Sequence, residues 1–158
     1  MIVKNEKIEK IKPYKNNPRK NAAAVKQVAE SISQYGFQQP IVVDKKHVII
    51  VGHTRYFAAK DLGLKTVPVV VADKLTPKQV KAYRIADNKT HEYSDWDFEL
   101  LKDELEGLGD LDEYFTGFND MELHDILEPD FKPDDQGKTR LDEKKKVVCP
   151  ECGYEFEN

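Results

Sequence analysis

The stretch most able to do chemistry is Val48-Ile-Ile-Val-Gly-His-Thr-Arg-Tyr-Phe-Ala-Ala-Lys60, an apolar strand that turns through Gly52 straight into a helix. The first amides of a helix have no partner within it, and their combined dipole favours an anion. Gly52 lets a phosphate approach the backbone, Thr54 offers a hydroxyl and Arg55 a charged fork. His53 adds a donor or proton acceptor near neutral pH, which makes it the candidate catalytic residue of the turn. A plainer alternative is a helix start capped by its own side chains, with Arg55 solvated. Near the C-terminus, Cys149-Pro-Glu-Cys-Gly153 has the spacing of half a zinc knuckle. Cys149 and Cys152 supply two of the four thiolates or imidazoles that a closed site needs. The remainder would come from a second copy of the chain, a partner or His124, or else no metal binds.

These residues require elements to hold them. Lys7 to Ile11 has the character of a short strand, followed by a turn-rich loop containing Pro13 and Pro18. Asn21 is a good N-cap for a helix over Ala22 to Tyr35, whose Val25, Val28, Ala29 and Ile32 share a face and which Gly36 ends. Ile41 to Asp44 and Val48 to Val51 are β-branched runs joined by a polar turn at Lys45 and Lys46. The helix after Gly52 should run from His53 to Leu62, with Tyr56 and Phe57 as filler rather than base-stacking platforms, and Val67 to Ala72 is the next strand. Thr76 before Pro77 opens a helix to about Asn88. Further helices are expected over Trp96 to Leu108 and over Asn119 to Leu127, with Glu122 completing a capping box on Asn119. From Glu128 to Lys146 there are many charges and little to bury, the composition of a solvated linker.

The 158 residues suffice for one domain and an appendage. Residues 1 to 90 carry 18 Lys and Arg against 7 Asp and Glu, a net charge of +11; residues 91 to 158 carry 7 against 22, a net charge of −15. The basic half suits a polyanion such as DNA or a nucleotide phosphate, unless the two halves simply pair with each other. No apolar run approaches the roughly 18 to 20 residues that cross a bilayer, and none follows Met1, so a soluble, cytoplasmic protein is expected. Two cysteines three positions apart do not make a secreted disulfide framework.

Taken together, several segments resemble the ParB/sulfiredoxin superfamily, specifically its ParB N-terminal type. They are Pro13 to Arg19, Val28-Ala-Glu-Ser-Ile32 with Gly36-Phe-Gln-Gln-Pro-Ile-Val-Val43, Gly52-His-Thr-Arg55, and Leu62-Gly-Leu-Lys-Thr-Val-Pro-Val69. The resemblance covers roughly residues 6 to 90. Ala82-Tyr-Arg-Ile-Ala-Asp-Asn88, Trp96-Asp97 and Thr116-Gly-Phe118 extend it to about Leu127, being similar to ParB-like regions that precede DNA methylases in phage and prophage proteins.

The resemblance implies an α/β (α+β) domain over residues 1–90 and an acidic helical extension over 91–127, to which composition and cysteine spacing add a linker over 128–148 and the cysteine tail over 149–158. It further implies a nucleoside triphosphate, CTP or ATP, held with Mg²⁺. Gly52, His53, Thr54 and Arg55 fall on the phosphate turn, and Asp87 and Asn88 fall on the Mg²⁺-holding pair, where Asn88 also faces the nucleotide. His53 stands where the family has Glu, which bears on hydrolysis more than on binding. The implied partners are DNA and, from the phage or mobile-element setting, a DNA methylase or another DNA enzyme, with a homodimer also open. The chain has no Asp-Pro-Pro-Tyr or Asn-Pro-Pro-Tyr motif, so it is not expected to be a methyltransferase itself. A sulfiredoxin would need a cysteine in the turn, and none is there. The alternative function is a small-molecule kinase or NTPase using the same turn, as the free-serine kinase branch has a similar Gly-His-His-Arg turn.

Overall fold

The computed structural model describes residues 2–18, 22–128, 146–148 and 155–157. The chain divides into two compact units, Met1–Leu127 and Glu128–Asn158. The N-cap position Asn21, most of the linker and both Cys149 and Cys152 lie outside the described residues.

The first unit is built on a four-stranded sheet of β1 (Val3–Lys7), β2 (Ile41–Val43), β3 (Ile49–Val51) and β4 (Thr66–Val71), in the order β1-β4-β2-β3. β1 runs antiparallel to β4 and β2 antiparallel to β3, whereas β2 and β4 are parallel. A parallel pair needs a crossover, and α2 (His53–Asp61) lies on it. On β3 and β4 consecutive residues are buried, Ile49 with Ile50 and Val69 with Val70, so both faces of the sheet are covered there. α1 (Ala22–Tyr35) packs against α2, and α3 (Pro77–Thr90) against β3. The main core gathers Ile8, Ile11, Ile41, Val43, Ile49, Tyr56, Ala59, Val67 and Val69.

The first strand is displaced from the expected Lys7 to Ile11. β1 ends at Lys7, and Ile8–Lys10 form a 3₁₀ turn. Ile8 and Ile11 are both buried. Residues three apart share a face of a 3₁₀ turn but would point to opposite faces of a strand, so burying both isoleucines requires the turn. β1 itself is polar and largely exposed, and it exists because the edge of β4 needs a partner.

The acidic region continues the same unit as α4 (Phe98–Leu108) and α5 (Asp120–Leu127), which pack together. α4 starts two residues later than expected because Asp97 Oδ1 caps it, accepting from the Glu99 and Leu100 amides at 3.2 Å each. Trp96 then packs on Phe118, with ring centroids 5.6 Å apart. The box at α5 is present, with Asn119 N–H donating to Glu122 at 2.9 Å and Glu122 N–H to Asn119 at 3.0 Å. Between α4 and α5 the Gln34 amide of α1 donates to the Glu113 carbonyl at 2.7 Å and accepts from the Phe115 N–H at 2.6 Å. In the second unit, β5 (Lys146–Val148) and β6 (Glu155–Glu157) pair antiparallel.

Candidate functional site

β3 ends at Val51, and the chain passes through Gly52 into α2 with no side-chain cap. Gly52 has φ +99°, a conformation that only glycine adopts readily. A Cβ there would meet Ile41 at an ordinary 3.5 Å, so the dihedral rather than crowding demands glycine. The first helical bond runs from the Tyr56 N–H to the Gly52 carbonyl, at 3.0 Å. The amides of residues 53 to 55 are therefore left without an intrahelical partner.

They open onto a cavity of about 470 Å³. Ala23, Ala24 and Val28 of α1 form an apolar wall, and the amide side chains of Asn17 and Gln39 add polar groups. Thr54 and Arg55 line it from α2, with Asp87 and Asn88 opposite on α3. Gly52, His53, Thr54, Arg55, Asp87 and Asn88 are thus brought to one cavity, although α3 follows the turn by some thirty residues in the chain.

Arg55 is half-buried and already anchored: its Nη1 donates to the Pro40 carbonyl at 3.0 Å and the Gln39 carbonyl at 3.3 Å. Burial pushes its pKa down and Asp87 pushes it back up, and a guanidinium remains charged through such shifts. Asn88 Nδ2 donates to the Arg84 carbonyl at 2.7 Å. His53 is buried, and its Nε2 accepts the Tyr14 N–H at 3.2 Å. That lone pair is engaged, so proton transfer through His53 would have to use Nδ1. Burial first, and then the nearby Arg84 charge, push its pKa below the ordinary 6.5.

The ParB N-terminal domain family matches residues 2–88. A ParB-like nuclease domain-containing protein of Escherichia coli K12, YnaK, is 40% identical over 73 residues, which are 46% of this chain and 84% of that protein. This chain belongs to the ParB N-terminal domain family.

Other members are longer. The probable chromosome-partitioning protein ParB of Rickettsia prowazekii is 40% identical over 72 residues, and the match spans only 25% of its length. Among solved structures, the C-terminally truncated ParB of Caulobacter crescentus complexed with CTP-gamma-S superimposes with a TM-score of 0.66 over 80% of this chain and 77% of that one, at 22% identity. That likeness supports the ParB fold.

The donor set of this ParB-type cavity suits a phosphate with Mg²⁺. Among the described residues no group of three or more His, Cys, Asp or Glu converges to cage a metal ion. Mg²⁺ beside a nucleotide needs only one or two protein oxygens, the rest coming from phosphates and water, and the Asp87 carboxylate and Asn88 amide are on the wall where they could supply them.

Two site-shaping residues escaped the sequence reading. Arg84 is buried on α3, with its Nε donating to the Ile49 carbonyl at 2.9 Å and its Nη2 3.8 Å from Asp44. Its Cζ lies over the Tyr14 ring at 4.0 Å from the centroid. The available signal was a charge in register with Val80 and Asn88 at spacings of four, on the inward face of a helix.

The depressed His53 pKa has a consequence for stability. Below 6.5 an unfolded chain takes up a proton that the folded imidazole refuses. The contribution is therefore full above that value and is lost as pH falls. Unfolding midpoints should drop between pH ~7 and ~5, and His53→Gln should flatten that part of the profile. Identical profiles in denaturant titrations of both proteins would contradict the assignment.

Proposed function

We propose that this ParB-type domain binds a nucleoside triphosphate, CTP or ATP, with Mg²⁺ on the Gly52 turn, and that the bound nucleotide gates its association with DNA. The observation that carries this reading is the open start of α2, set by Gly52 at φ +99° and facing a cavity bounded by Arg55 and Asp87. The amides without an intrahelical partner and the guanidinium take phosphate oxygens, while Asp87 and Asn88 hold the Mg²⁺ that neutralises them. The apolar wall of α1 is left for the base or sugar.

The DNA side of the reading rests on the net charge of +11 over residues 1 to 90 and on family members named for chromosome partitioning. It describes a cytoplasmic protein, and no helix among the described residues is long and apolar enough to cross a membrane. A small-molecule kinase would use the same phosphate cradle but needs a general base at the acceptor hydroxyl, and the Nε2 of the turn's imidazole is occupied by Tyr14.

Titration calorimetry of the full chain with CTP, ATP and GTP in Mg²⁺ tests the nucleotide half; no heat with any of the three ends it. DNA binding should be electrostatic, falling steeply between about 50 and about 200 mM salt because each neutralised phosphate releases counterions. Affinity that holds constant over that range would refute the electrostatic account.

A further inference from the structure

We propose that Arg84 is the positioning residue of this cavity, holding the segment around Tyr14, the start of α2 and the Asp87–Asn88 pair in one fixed arrangement. The inference rests on the nucleotide reading above for its binding consequence, but its structural half can be tested without any ligand.

Arg84 is not among the residues lining the cavity, and yet the cavity's separate walls meet on it. Its Nε holds the Ile49 carbonyl at 2.9 Å, three residues before Gly52. Its guanidinium underlies the Tyr14 ring at 4.0 Å, and the Tyr14 N–H in turn reaches His53, the first residue of α2, at 3.2 Å. Its own carbonyl receives Asn88 Nδ2 at 2.7 Å. The Arg84 side chain therefore ties α3, which carries the metal-side pair, to the strand that leads into the phosphate turn and to the Tyr14 segment, while the backbone carbonyl holds Asn88.

A guanidinium this buried is an expensive way to obtain stability. Apolar replacements of buried charges are often as stable or more so. The carboxylate paired with Arg84 among the described residues, Asp44, stands off at 3.8 Å and uses its other oxygen to hold the Lys46 and Val48 amides at 2.8 and 2.9 Å. What the charge does accomplish is specific. His53 can accept the Tyr14 N–H only while its imidazole is neutral, because a protonated ring would present a second donor to that amide. Burial first, and then the Arg84 charge, favour the neutral ring. Among the described residues, the charged groups near this contact are Arg84, with Asp44 on the β2–β3 turn paired to it, and Arg55 and Asp87 on the cavity that His53 also lines.

The experiment compares the full chain with Arg84→Met, Arg84→Lys and Tyr14→Leu. Each is measured for CTP and ATP affinity by calorimetry, for the His53 ring titration by NMR, and for exchange of the Tyr14 amide. Arg84→Met should bind nucleotide at least tenfold more weakly, titrate His53 at higher pH and exchange the Tyr14 amide faster. Arg84→Lys should restore the His53 titration towards that of the unmodified chain, since the charge returns, and recover part of the affinity. Tyr14→Leu, which leaves Arg84 in place, should lose affinity in the same direction and keeps the test decisive should Arg84→Met fail to fold. A folded Arg84→Met with unchanged affinity would overturn the proposal, as would an unmoved His53 titration or a Tyr14→Leu that binds as well as the original. If the unmodified chain binds no nucleotide, the functional reading falls, and the NMR measurements still decide whether Arg84 governs the Tyr14–His53 contact.

Discussion

Replacing Arg55 with alanine is expected to weaken nucleoside triphosphate binding at least tenfold, about 1.4 kcal/mol, measured by calorimetry in Mg²⁺. Two effects add. The guanidinium is the cationic side chain at the start of α2, and charge-assisted bonds to phosphate are stronger than neutral ones. Its Nη1 also ties the Gln39 and Pro40 carbonyls, at 3.3 and 3.0 Å, and Gln39 is part of the cavity wall. Alanine thus removes a charge and releases a wall. Arg55→Lys should fall between the two, because an ammonium keeps the charge but lacks the planar fork. Unchanged affinity in Arg55→Ala would mean that phosphates do not sit at this turn.

The second large effect concerns the sheet behind the site. Ile49 is 0% exposed and belongs to the main core, so Ile49→Ala should cost about 3 kcal/mol through lost burial and the cavity left behind. Against a total stability of roughly 5 to 15 kcal/mol this is a large fraction, and urea unfolding would register it as a lower midpoint at similar slope. Ile85 provides the control, being the same residue type on α3 but 58% exposed. Ile85→Ala should change stability by under about 0.5 kcal/mol. Equal losses in the two variants would show that the sheet interior is not where burial places it.

Much of the site was legible because its local determinants span four residues or fewer. The strand ending before Gly52, the helix starting at His53 and the reciprocal bonds of Asn119 with Glu122 all follow from periodicity and capping within one or two turns. α1 likewise covers Ala22–Tyr35, the span its apolar spacing implies, with Gly36 beyond it at φ +79°. Tyr56 is buried in the core, whereas its neighbour Phe57 is 39% exposed.

The order of segments further pointed to the ParB family, and through it to Asp87 and Asn88, which the structure brings to the cavity opposite the phosphate turn. Spacing alone could not have paired them with Gly52, since nothing local relates α3 to the turn.

What only the tertiary structure decided is the work done by groups whose partners are distant in the chain. β1 is a polar segment that becomes a strand because β4 offers an unpaired edge, and Ile8 and Ile11 dictate the 3₁₀ turn that follows by both entering the core. His53 stands in the turn as a titratable group, but its acceptor is taken by an amide 39 positions earlier. Arg84 has the look of one more solvated lysine or arginine on a basic helix until its bond to Ile49, 35 positions away, is seen. Sequence patterns report interactions between near neighbours, whereas a buried charge is defined by whatever the folded chain brings to meet it.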